Sequence, residues 1–242
     1  MTADRWTRVV REQLGLGRLL PLGGPRDGAW IAESAAESIL RRAMDGVPGV
    51  RLGPLRIAPA GPDGGQEPAV PPPPSALPPG PLRVTADFTA SGTEPLPAAA
   101  SRLRDALARA ATEAVGLTVT EVDLRVTGLG EEEAVPPSGG ATPSDGSDTR
   151  PGSGDESLVA TAALSVPGVS RLTGTLGGLG RAVHIEERQE APASLPRRHV
   201  RVELAVHPGH RALTVAREVR AAVAAALPDG PTVAVLITSV AP

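Results

Sequence analysis

The stretch GVPGVR at residues 46–51 returns as SVPGVS at 165–170, and each copy closes an alanine-rich apolar run. Proline cannot continue a helical ladder, and a neighbouring glycine is free to turn, so each copy reads as a corner where a helix ends and an extended segment leaves. A chain that makes the same corner twice is expected to hold two similar units, and 242 residues are enough for each to bury a small core. Those cores must be aliphatic, because the only aromatics are Trp6, Trp30 and Phe88.

Around the first corner, WIAESAAESILRRAMDGVPGV places Ile31, Ala35, Ile39, Ala43 and Val47 four apart, with polar pairs between them, which predicts an amphipathic helix from Trp30. An extended segment over 50–58 follows, and then ten prolines between Pro59 and Pro81, which read as a stiff loop rather than a domain. LRVTADFTA alternates Leu82, Val84, Ala86 and Phe88 against Arg83, Thr85, Asp87 and Thr89, as a strand with one buried face does. A second helix spans about 97–115, with Leu96, Ala100, Leu103, Leu107, Ala110 and Ala114 as its stripe and Gly116 as its stop. The strand LTVTEVDLRV closes the unit.

After an acidic stretch the order returns: helix LVATAALS from Leu158, strand RAVHIEE from Arg181, strand HVRVELAV from His199, a helix from Arg211 and a strand from Pro231. In this copy the first helix is read as half as long, and the glycine-rich GTLGGLG as replacing the first extended segment. The predicted fold class is therefore α+β: two tandem helix-strand-strand-helix-strand units, each a three-stranded sheet backed by two helices. The expected divisions are an N-terminal arm over 1–29, a first unit over 30–129 containing the proline-rich loop 59–81, a flexible acidic linker over 130–155 and a divergent second unit over 156–242.

Charge and composition exclude several functions. The net charge is −3, and residues 131–156 alone carry −6, which leaves about +3 spread over the rest, too little for a dedicated nucleic-acid binder. All 24 basic residues are arginine and there is no cysteine, so disulfides, thiolate metal sites and cysteine nucleophiles are absent. No apolar run approaches the ~20 residues of a bilayer-spanning helix, and the start MTADRWTRVVREQ has no secretory h-region, so the chain is expected to be soluble and unexported. In the arm, Trp6, Val10 and Leu14 stand at helical spacing among Arg5, Arg8 and Arg11, a stripe too short for more than weak lipid binding.

Three constellations invite a chemical reading. His207 and His210 in HPGH, with Glu203 nearby, suggest a metal site, but Pro208 and Gly209 mark a turn rather than a helix face on which ligands converge. Gly174, Gly177, Gly178 and Gly180 suggest a phosphate cradle, or the GxxG loop of a KH-like RNA-binding module; no lysine is present to reach a phosphate, and the loop leads into a strand. Arg102, Arg104, Arg109, Arg217 and Arg220 on the long helices are interspersed with acids and read as solvated faces or as a partner surface, and Glu131 to Glu133 read as solvated linker. No nucleophile stands beside a base. The sequence thus assigns no catalytic, cofactor-binding or metal-binding residue, and the expectation is no enzyme and no cofactor.

The first unit resembles the alkaline shock protein family of bacterial envelope stress response proteins. The resemblance rests on the helix WIAESAAESILRRAMDGVPGV, the Leu96–Pro97 helix start, the Val-Gly-Leu helix end at 115–117 and the Val-Thr-Gly strand end at 126–128, within residues 30–129. Residues 156–241 match more weakly. The shared pattern is one of fold and transfers no active-site residue. It implies a non-catalytic scaffold or adaptor that gathers at the cytoplasmic face of the membrane through a membrane-anchored protein partner and through itself, without inserting into lipid or binding nucleic acid or a small molecule. A KH-like RNA-binding module is the alternative.

Overall fold

The computed structural model describes residues 16–62, 64–129, 154–175, 181–188 and 197–241. Over these residues the protein is α+β, with four helices and two sheets, of six and three strands.

The smaller sheet follows the predicted order. Helix α1 (Glu33–Met44) ends at the first corner, where Val47 N–H bonds to Met44 O at 3.0 Å and Gly49 takes φ +71°. Strand β3 (Val50–Pro59) then runs antiparallel to β4 (Leu82–Ala90). The predicted alternation of β4 holds: Leu82, Val84, Ala86 and Phe88 are buried. Helix α2 (Leu96–Ala110) crosses over and ends in one widened turn over Ala111–Val115, where the N–H groups of Gly116 and Leu117 both reach Ala111 O at 2.9 Å. Gly116, at φ +98°, stops the helix, and β5 (Val119–Leu129) returns parallel to β4.

In the second half, α3 (Gly154–Leu164) leads through the second corner, with Gly168 at φ +91°, into β6 (Val169–Leu172). Strands β6 and β7 (Val183–Arg188) both lie antiparallel to β8 (Arg197–Val206), against its two ends. Helix α4 (Ala212–Ala226) crosses to β9 (Thr232–Val240), parallel to β8.

Four sequence expectations need correction. The helix expected from Trp30 begins at Glu33: Ala29–Ala32 form a strand, β2, parallel to β9, and Leu19–Pro21 form β1 antiparallel to β2. Trp30 and Ile31 fit a helical period, but as strand residues opposite Leu236 and Ile237 they bury both faces, an option helix periodicity does not reveal. The buried stripe of α1 is Ala35, Ala36, Leu40 and Met44 instead of a strict four-residue ladder through Ala43, because a 3.6-residue period drifts off such a ladder. Helix α3 has 11 residues, close to the 12 of α1, and is not halved. It starts inside the acidic stretch, where Asp155 and Glu156 favour a helix N-terminus and Asp155 accepts from Arg198 at 2.7 Å. The second corner also does lead into a strand, β6, ahead of GTLGGLG.

One apolar core runs through both sheets. Helix α1 packs against β9 and β2 of the larger sheet and against β3 and α2 of the smaller; α4 packs on α3, β9 and β2 and touches the wide turn of α2. Gly116 is the close approach: a Cβ there would collide with Leu213 of α4, while its carbonyl accepts from Gly23 N–H at 2.9 Å. The proline-rich loop lies along β1, with Leu77 N–H bonded to Leu19 O at 2.9 Å and Leu77 O accepting from Trp30 Nε1 at 3.3 Å.

Candidate functional site

The HPGH turn, 207–210, carries the chain from β8 into α4 and forms one wall of a cleft of about 330 Å³. Arg211, Ser38, Ile39 and Arg42 of α1, Glu113 and Ala114 of the wide turn, and Val240 of β9 also line it. The turn is held from behind, since His207 N–H donates to Gly168 O at 2.8 Å. The imidazoles of His207 and His210 and the guanidinium groups of Arg42 and Arg211 thus share a cleft with one carboxylate, Glu113. Such a site suits a small or side-chain-sized group with acidic and apolar parts. It holds neither a nucleophile hydrogen-bonded to a base nor, among the described residues, three His, Asp or Glu groups placed to hold a metal.

Glu203, the third residue of the imagined metal set, does not line this cleft. It is fully buried on β8, its Oε2 receives Thr175 Oγ1 at 3.4 Å, and its Oε1 lies 3.8 Å from Arg201 Nε and 3.9 Å from His184 Nε2. Burial, and then the charge of Arg201, push the His184 pKa down, which favours its neutral form. His199, on the same strand, is bonded through Nδ1 to Thr232 Oγ1 at 2.9 Å. Its pKa falls to about 4, first through burial and then through the charge of Arg188.

The arginines expected as solvated faces or a partner surface are largely used as internal ties. Arg217 grips Asp27 with two bonds, 2.7 and 3.1 Å, and Arg220 donates to Val233 O, Arg26 O and Asp27 O, so the two fasten the β1–β2 turn to α4. Arg102 pairs with Glu94 and donates to Pro48 O at 2.9 Å, which ties the first corner to the start of α2. Arg104 reaches Val122 O at 3.2 Å, and Arg109 is exposed. The sequence could not reveal these ties, because their acceptors are backbone carbonyls and residues far away along the chain. Ser38, Arg42, Glu113, Arg211 and Val240 were missed as cleft residues for the same reason, and the only usable signal was HPGH itself.

Of the phosphate-loop glycines, Gly174 is described, while Gly177, Gly178 and Gly180 lie outside the described residues, as do Glu131 to Glu133 and the arm residues Trp6, Val10 and Leu14. Among the described residues no helix is long and apolar enough to cross a membrane.

Fold and cleft together define an α+β protein with two sheets on one continuous core and a mixed-charge cleft where its two halves meet. No family model, curated protein or solved structure matches the chain.

Proposed function

We propose that this protein is a non-catalytic scaffold or adaptor, built from two copies of one helix-strand-strand-helix-strand unit and acting through protein contacts at the inner face of the cell membrane. Duplication is supported by the two corners, which share two backbone bonds at matching positions. Val47 N–H meets Met44 O as Val166 N–H meets Ala163 O, and Ser91 N–H meets Gly49 O as His207 N–H meets Gly168 O. Each corner leads to an antiparallel partner strand, a crossover helix and a parallel strand.

The observation that carries the functional reading is where large apolar side chains remain on the described surface: Val126 and Leu129 at the end of β5, and Leu158 and Leu164 on α3. Two pairs on two elements, beside ionisable groups engaged in internal ties, offer docking area rather than a reaction centre. Together with the resemblance to the alkaline shock protein family, this favours recruitment by a membrane-anchored protein.

Cell fractionation with in-cell crosslinking tests it. The expected result is recovery with the membrane fraction and crosslinks to an integral membrane protein. A wholly soluble pool with no such crosslinks removes the envelope assignment. RNA binding that is tight and falls steeply with salt replaces the scaffold with the RNA-binding alternative.

A further inference from the structure

We infer that β5 is the contact strand of a symmetric dimer, in which a second copy of this chain pairs its own β5 antiparallel, with Leu124 of one copy opposite Leu124 of the other. The inference deepens the scaffold reading, and rests on it only in taking protein contact as the chain's business.

The other sheet edges among the described residues are blunted or covered, as exposed strand edges must be to avoid unwanted pairing. On β3, Arg41 donates to Gly53 O at 2.8 Å, Arg18 donates to Ile57 O at 2.8 Å, Ile57 N–H donates to Glu33, and Pro54 removes a donor. The edge of β1 takes the N–H of Leu77, and β6 and β7 are short, at 4 and 6 residues. The counterpart of β5 in the second half is β9, likewise the parallel strand after a crossover helix, and its outer edge is paired with β2. Among the described residues β5 pairs with β4 alone over its 11 residues, and its backbone edge receives one side chain, Arg104, at Val122 O. That bond marks Val122 as a residue whose backbone groups face away from β4. By the period of two, so do those of Leu124 and Val126, the groups an added strand would use.

Charge then selects the partner and the register. In an antiparallel pair, residues directly opposite share a face, so a β5 dimer has few registers open to it. Centring on Asp123 sets Asp123 against Asp123, and centring on Arg125 sets Arg125 against Arg125. Centring on Leu124 sets Asp123 against Arg125 twice, Val122 against Val126 twice, and Leu124 against itself. The same register brings the two exposed apolar residues of the strand to apolar partners, since Val126, 39% exposed, meets Val122 and Leu129, 66% exposed, meets Val119. Within one chain Arg125 already bonds Asp87 at 2.7 Å, and Arg83 Nε lies 3.5 Å from Asp123. The cross-chain pairs would extend these into one row of alternating charge over four strands. A two-fold axis closes the assembly at two copies, whereas parallel pairing of two β5 strands would not be closed by that symmetry.

Sedimentation velocity across a concentration series, with circular dichroism to verify folding, tests the register. The wild type is expected to approach twice 24.6 kDa with rising concentration. Because symmetry repeats each contact, Arg125→Asp alone creates two Asp–Asp contacts and Asp123→Arg alone creates two Arg–Arg contacts. Each is expected to weaken self-association by about tenfold or more. Mixed in equal amounts, the two variants should pair again, because every Asp then faces an Arg; misfolding would not be rescued in this way. A wild type that stays monomeric at every concentration, or variants that keep wild-type dimerisation, would overturn the proposal. Neither result touches the membrane-recruitment test, which reads crosslinks to a different protein.

Discussion

His199 is held neutral inside the protein, and this makes stability depend on pH in a defined window. Its folded-state pKa, about 4, lies below the ordinary histidine value of about 6.5, so between these values the unfolded chain binds the extra proton. Stability is therefore full above about pH 6.5 and declines as the pH falls toward 4. A shift of this size corresponds to at most about 3 kcal/mol. Denaturant titrations at a series of pH values should show that slope in the wild type and a flatter one in His199→Gln. Asp27 acts in a lower window. Burial raises its pKa, but the bond from Arg217, the bond from Gly24 N–H at 2.7 Å and the charges of Arg217 and Arg220 outweigh burial and hold it below the usual value. A carboxylate depressed in this way stabilises the fold above the unfolded value, about 3.9, and its contribution disappears as the pH falls through the folded value. Asp27→Asn is expected to cost about 1 kcal/mol at neutral pH, the half-exposed Arg217 limiting the gain, and to leave the slope between pH 4 and 6.5 unchanged.

Helix α2 must end where it does, because the wide turn sets Gly116 against α4. Gly116→Ala places a side chain at φ +98° and drives it into Leu213, two penalties that repacking of surface groups cannot relieve. The expected loss is about 2 kcal/mol or more, read as a Tm decrease of roughly 4 to 8 °C by calorimetry. Gly46→Ala is the matched control: nothing lies within 4 Å of a Cβ built there, and the residue follows the last turn of α1, so stability should change by less than about 0.5 kcal/mol.

Across the whole molecule, the strands Leu19–Pro21 and Ala29–Ala32 belong to the far sheet. β2, ahead of the first helix, pairs with β9 near the C-terminus, and Asp27 is clamped by Arg217 across 190 positions of chain. A protease site inserted in the stretch 130–153 should therefore yield two fragments that co-elute after cleavage under native conditions and separate only in denaturant. Fragments that part in native buffer would show that β2, α1 and the wide turn contribute too little to hold the halves together.

The sequence by itself determined the elements whose signal is local. The alternation of β4, the glycine stop of α2, the Leu103, Leu107 and Ala110 part of its apolar stripe, and the two VPGV corners were readable, because a buried face imposes its period and a helix end requires particular residues. The rest of that stripe fell one position off, since α2 buries Ala99 where Ala100 was expected, and its wide turn buries Ala111 and Val115 where Ala114 was. Tertiary structure alone decided the rest. Trp30 and Ile31 satisfy a helical period and a strand equally well, and their pairing with β9 settled the matter. Helix α3 began earlier than its apolar residues suggested, because Arg198 anchors its acidic first turn. The cleft beside HPGH came from residues of α1, α2 and β9 far away in sequence, and the arginines of α4 found their acceptors in a turn near the other end of the chain. The physical reason is one of range: periodicity and capping are written in neighbouring residues, whereas a contact between distant segments exists only once the core has brought them within bonding distance.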